Sequence, residues 1–148
     1  VYYDMGVPAF VSAKELIEAG KSMLGAIVEM EAQGYRVNLY CVQTYYSDNK
    51  GTDMLCVKIK SANQPLDLKR MSFPIAHSAF FRGIGFDWYS KFPKGTYRAG
   101  YGRDVNRDKG TDAVRVEVRK VFGNNCHYFS ATEIMKKDKE HIKGELAK

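Results

Sequence analysis

Between Ser12 and Gly34 the sequence carries one helix with both ends marked. Ser12 is followed three residues later by Glu15, the spacing at which each side chain can satisfy a backbone N–H of the first turn. Leu16, Gly20, Met23, Leu24, Ile27, Val28 and Glu31 then recur at intervals of three and four, so apolar or small residues fill most of one face. Lys14, Glu18, Lys21 and Glu29 fall mostly away from it. Gly34 is placed to take the left-handed conformation that stops a helix. This rod of about six turns lies between two β-prone stretches, Val1–Tyr3 and Tyr35–Val42. Asp4–Pro8 forms the loop after the first. Strand, helix and strand joined by a right-handed crossover make a βαβ unit with parallel strands.

A chain of 148 residues with 45% apolar content is expected to be a single domain, 1–148. No apolar run reaches the length of about 20 residues needed to span a bilayer, and no signal-peptide pattern is present. Because the chain does not begin with Met, it is expected to be a trimmed piece of a longer one. Cys41, Cys56 and Cys126 are widely spaced and odd in number, which predicts a reducing, cytoplasmic setting without disulfides, and Cys41 and Cys56 lie in apolar strand patterns that predict buried thiols. The net charge of +6 is spread along the chain. Basic residues are denser at Arg98, Arg103, Arg107, Lys109, Arg115, Arg119 and Lys120, and again at Lys136, Lys137, Lys139 and Lys143. Such a surface is either simply solvated or attracts phosphates or an acidic protein.

Gln43–Asp53 reads as a polar loop with its turn at Ser47–Gly51. Met54–Lys60 reads as a third strand, able to return beside the second as a hairpin. Leu68, Met71, Ile75, Ala79 and Phe80 have helical spacing, with Pro65 at the start. Pro74 predicts two helical pieces broken near Phe73–Pro74. The second piece, Ile75–Tyr89, is rich in aromatic residues expected to pack. Tyr97–Gly110, rich in Gly, Tyr and Arg, reads as a long surface loop. Thr111–Phe122 fits two patterns. Val114, Val116 and Val118 alternate as in a strand, yet Val114, Val118, Val121 and Phe122 share a helical face with Thr111 or Asp112 as N-cap and Gly123 beyond. In an α/β order the helix is favoured, because Cys126–Phe129 supplies the next strand. Ser130 and Glu133 form a second capping box that opens a helix through about Ile142.

The order β-α-β-β-α-loop-α-β-α resembles the von Willebrand factor A-like fold, a Rossmann-like, doubly wound α/β sheet, mostly parallel with one antiparallel edge strand. The stretches Val11–Leu16, Glu31–Val37, and Leu66–Leu68 through Phe73–His77 also look like an uncharacterised family found in phage, plasmid and other mobile-element genomes. That family has no established activity, so this likeness bears on fold and origin. A-like domains often hold a divalent cation through Asp-x-Ser-x-Ser after the first strand, since hard cations take oxygen ligands. The matching positions here are Asp4-Met5-Gly6-Val7-Pro8. Asp4 fits, but Gly6 and Pro8 replace both hydroxyl residues, so no metal site is expected.

Catalytic constellations are not apparent. His77, His127 and His141 are far apart, and His77 is expected to orient the aromatic segment by hydrogen bonding. Cys126 and His127 sit near the ligand-binding end of the sheet, but adjacent strand residues point to opposite faces. Gly95–Gly102 lacks the Gly-Lys-Ser/Thr of a phosphate-binding loop. The expectation is a non-catalytic intracellular binding or scaffold module, without cofactor, acting on a protein partner as an inhibitor or accessory factor. The alternative is nucleic-acid binding, with Arg98, Arg103, Arg107, Arg115 and Arg119 on phosphates and Tyr97 and Tyr101 stacking on bases. A degenerate enzyme or metal-dependent A-like domain ranks third. The sequence excludes a membrane-spanning helix but leaves the oligomeric state open.

Overall fold

A computed structural model describes residues 1–47, 51–91, 110–137 and 139–146. Its centre is the predicted rod, α1 (Ala13–Ala32), and both halves of its capping box form: the Glu15 N–H donates to Ser12 Oγ and the Ser12 N–H donates to the Glu15 carboxylate. Gly34 takes φ +96°, just beyond the helix end. Leu16, Gly20, Met23, Leu24 and Ile27 are buried as the spacing predicts.

The flanking strands are β1 (Tyr2–Asp4) and β2 (Leu39–Ser47), which pair in parallel with Tyr3 opposite Cys41. β3 (Gly51–Lys60) runs antiparallel to β2, with Ser47 opposite Gly51. The hairpin is longer than the sequence suggests, because Gln43–Ser47 and Gly51–Asp53 continue the strands. Their polar residues look like loop only until Gln43 and Thr44 are seen buried against neighbouring elements.

The segment that follows differs in detail from expectation. Asp67, rather than Pro65, starts α2 (Leu68–Ala76), accepting the Arg70 N–H. Pro74 lies inside α2 and the break falls at His77, so the loss of one N–H in the last turns is tolerated. His77 Nδ1 accepts the Ala79 N–H and opens the next piece, a π-helical turn at Phe80–Gly85 that continues into α3 (Phe86–Ser90).

Residues Thr111–Phe122 form α4, preceded by Gly110 at φ +80° rather than by a side-chain cap, and closed by Gly123 at φ +88°. β4 (Tyr128–Ser130) pairs in parallel with β1 on the side away from β2. The single C-terminal helix of the sequence reading is two pieces, α5 (Ala131–Ile134) and α6 (Lys139–Leu146). Ser130 Oγ accepts the Glu133 N–H, but the Glu133 carboxylate turns to Arg115 instead of completing the box.

The result is a four-stranded mixed sheet, β3-β2-β1-β4, with one antiparallel pair. Tyr3, Leu39, Cys41 and Phe129 point into the larger core, shared with α1, α2, α5 and α6. Tyr2, Val42 and Tyr128 point to the opposite face, where Val114 and Val118 of α4 cover them. Tyr2 also stacks between Tyr40 and Phe122, with ring centroids 4.8 and 4.6 Å apart. Cys41, Cys56 and Cys126 are free thiols, and Cys56 is only partly buried.

A buried ion pair fastens α1 to the hairpin. Lys60 Nζ donates to Glu31 Oε1 at 2.5 Å and also to the Val37 and Ser61 carbonyls. Burial alone would raise the Glu31 pKa, but the Lys60 ammonium and the Val37 N–H outweigh it and hold the carboxyl below its ordinary value. A depressed carboxyl stabilises the fold above its unfolded pKa and loses that contribution as pH falls through the folded one. Glu31→Gln should therefore lower stability at pH 7, by about 3 kcal/mol where a buried partner is lost. It should also flatten the acid limb of a urea-stability profile, and an acid limb as steep as the wild type would oppose this assignment. Gly20 packs directly on α2: a Cβ there would stand 2.6 Å from the Ile75 carbonyl oxygen. Gly20→Ala should destabilise by about 1–3 kcal/mol despite better helix propensity, measured by chemical denaturation.

Candidate functional site

Open α/β sheets bind ligands beyond the carboxyl ends of their strands, where the strand order reverses. Here β2 and β4 flank β1 on opposite sides, so that position falls at the ends of β1 and β4. Asp4 ends β1 and is fully buried. Its Oδ1 accepts the Gly6 N–H at 2.7 Å, and its Oδ2 accepts the Tyr128 hydroxyl at 2.5 Å and the Thr44 hydroxyl. One carboxylate thereby ties β1, β2 and β4 together. A Cβ at Gly6 would lie 2.9 Å from Asp4 Oδ1, so glycine permits the tight turn.

These residues do not fit a cation at the Asp-x-Ser-x-Ser position. Both Asp4 oxygens already accept internal hydrogen bonds, and Gly6 and Pro8 bring no side-chain oxygen.

Outside this knot lies a crevice of about 800 Å³ between the β1–α1 loop and the starts of α4 and α5. Phe10 stands on its wall with 78% of its surface exposed. Glu15, Asp112, Met135, Lys136 and Lys137 complete a rim of mixed charge. Behind it, Arg115 Nη2 donates to both Glu133 oxygens, Nη1 to Asp112, and Nε to the Tyr128 carbonyl. Burial works against the guanidinium charge, but the Glu133 and Asp112 carboxylates more than compensate and raise its pKa. Lys137 and His141 approach the same Glu133 carboxylate at 3.5 and 3.2 Å.

The predicted contact residues thus have different fates. Arg115 is largely buried in an internal network, whereas Arg119 is exposed on α4. Tyr97, Arg98, Tyr101, Arg103 and Arg107 lie outside the described residues. Cys126 and His127 precede β4, so they sit at the amino end of the sheet, away from the crevice. Burial raises the Cys126 thiol and lowers the His127 imidazole from their usual pKa values. The sequence reading missed Phe10, which sits in an otherwise aliphatic loop where no local pattern marks it as exposed, and missed the convergence of Thr44 and Tyr128 on Asp4.

The geometry defines an α/β domain with a mostly parallel sheet and a crevice at its carboxyl end. A family model described as a domain of unknown function, DUF7192, matches residues 1–138, and the chain belongs to that family. No curated protein and no solved structure matches it. No described helix is long and apolar enough to cross a membrane.

Removing the Tyr128 hydroxyl leaves a buried carboxylate short of a donor. Tyr128→Phe should cost about 1–3 kcal/mol in urea unfolding, the range for a hydrogen bond to a charged group. A change near zero would mean that the knot does not hold the strands.

Proposed function

We propose that this domain is a non-catalytic binding module that takes a protein partner in the crevice between the β1–α1 loop and α4–α5. The observation that carries this reading is Phe10, an exposed aromatic side chain beside a concave surface of mixed charge. Aromatic anchors concentrate binding energy where a rim of polar groups surrounds them. Glu15, Asp112, Lys136 and Lys137 together give a lining of both signs, which suits a segment carrying both charges. Placement at the reversal of strand order agrees with where α/β domains hold ligands. The sheet order, with its antiparallel edge, is in keeping with an A-like module, and the likeness to mobile-element sequences suits a protein that acts on host machinery.

The test is affinity capture from the source cell with wild-type and Phe10→Ala protein in parallel. Loss of an anchor weakens binding by about tenfold or more. A retained protein that disappears with Phe10→Ala, and with Lys136→Glu/Lys137→Glu, supports the crevice. Retention that ignores both variants counts against it. Capture of nucleic acid that falls steeply with salt would favour phosphate contacts by the basic residues instead.

A further inference from the structure

α2 buries Met71, Pro74 and Ile75 and turns a second face outward. Residues three and four apart share a helix face, so Lys69, Arg70, Phe73 and His77 form one exposed strip along it. Phe73 stands in the middle of the strip with 47% of its surface exposed. The Phe80 ring meets it edge-on at 5.8 Å, and the His77 ring lies against it at 5.4 Å. Phe80 opens the π-helical turn, in which Ile84 is 57% exposed. Four residues nearly complete a turn whose hydrogen bonds span five, so Ile84 comes round to the side of Phe80. Phe73, Phe80 and Ile84 make an apolar patch where α2 meets the π-helical turn.

Cations border this patch. Lys69 and Arg70 flank Phe73 one turn earlier in α2, and Arg82 lies between Phe80 and Ile84 in the π-helical turn. All three are exposed. Among the described residues, none of them pairs with a carboxylate. The Lys69 and Arg70 side chains make no hydrogen bond there, and Arg82 makes one long bond, Nη2 to the Val11 carbonyl at 3.4 Å. Asp67 faces the Arg70 N–H as the cap of α2, and Asp87 is paired with Lys91 at 3.0 Å. The face therefore keeps a positive excess beside its apolar side chains. That combination complements a surface that is anionic outside and apolar beneath. A nucleic acid matches it less well, because Ile84 has no ring to stack on a base.

We propose that this face docks the protein peripherally on an anionic lipid bilayer. Phe73 and Ile84 enter the boundary between headgroups and acyl chains. Lys69, Arg70 and Arg82 stay with the headgroup phosphates, since their long stems let the charge remain in water above the inserted side chains. The crevice that carries the protein-binding reading is lined by none of these residues, so the two surfaces are separate.

Vesicle co-sedimentation tests the proposal. Vesicles of phosphatidylcholine and phosphatidylglycerol in equal amounts should pellet the protein at low salt. Pure phosphatidylcholine vesicles should bind it about tenfold more weakly. Phe73→Ser/Ile84→Ser should weaken partition to the anionic vesicles by about tenfold or more, and Lys69→Glu/Arg70→Glu should do the same. All four positions are exposed, so these variants should fold, which circular dichroism and a thermal melt check. Arg119→Glu/Lys120→Glu makes the same change of charge on α4, across the sheet, and should leave partition nearly unchanged. An equal loss with the α4 pair would mean that net charge alone draws the protein to the vesicles, and would overturn the proposal. Absence of pelleting with the anionic vesicles would overturn it too, as would pelleting that survives Phe73→Ser/Ile84→Ser. Single-stranded DNA binding that disappears with that pair, without any vesicle binding, would assign the face to nucleic acid instead.

Discussion

One carboxylate, that of Asp4, holds three parallel strands in register. It is fully buried, and a buried charge is tolerated only when several donors converge on it. Gly6 supplies one from two residues away, Thr44 one from β2, and Tyr128 one from β4, across 124 positions of sequence. The constraint is mutual. The strands must lie in the order β2-β1-β4 for the hydroxyls to reach Asp4, and the carboxylate is satisfied only in that order. The same arrangement sends the loop after β1 along the wall of the crevice, so the architecture and the candidate surface share one origin.

Much of the protein's charge is spent internally. Arg115 is held by Asp112, Glu133 and the Tyr128 carbonyl, and Lys60 by Glu31 and two backbone carbonyls. Lys139 and Lys143 both pair with Glu29, fastening α6 to α1. These four cations are matched by four carboxylates, so the net charge of +6 is carried by the other residues. A cation already satisfied by a buried carboxylate gives little to a second partner, which weakens Arg115 as a phosphate contact but leaves the excess itself untouched. Lys136 and Lys137 both stand on the rim of the crevice, but Lys137 shares the buried Glu133 carboxylate.

The β1–α1 loop separates two different environments. On one side, Phe10 faces an open crevice with charged edges, suited to a polypeptide. On the other, Met5, Val7 and Leu16 help to enclose Gln43 in a smaller apolar space. Both depend on the short strand β1 ending at Asp4 and on the tight turn at Gly6, which send the next residues across the top of the sheet before α1 begins.

Local signals were legible because they are local in physics. The Ser12–Glu15 box, the stripe from Leu16 to Ile27 and the stop at Gly34 act within a few residues, and the helix follows them closely. The helical face of Val114 and Val118 and the stop at Gly123 were readable for the same reason. Three outcomes needed the folded chain. Gln43 and Thr44 are polar and read as loop, yet contacts to distant elements bury them in β2. Glu133 has the spacing of a capping residue, but Arg115, eighteen positions away, offers a full positive charge where the Ser130 N–H offers a dipole, and the charge wins. The Asp4 knot is decided by which strands become neighbours. The sequence by itself settled α1 with both its ends and the extent of α4, which short-range hydrogen bonds and periodicity specify, but not the break at His77 or the division of the C-terminal helix. Tertiary structure alone decided which polar groups meet, because that depends on chain crossings whose partners lie up to 124 residues apart.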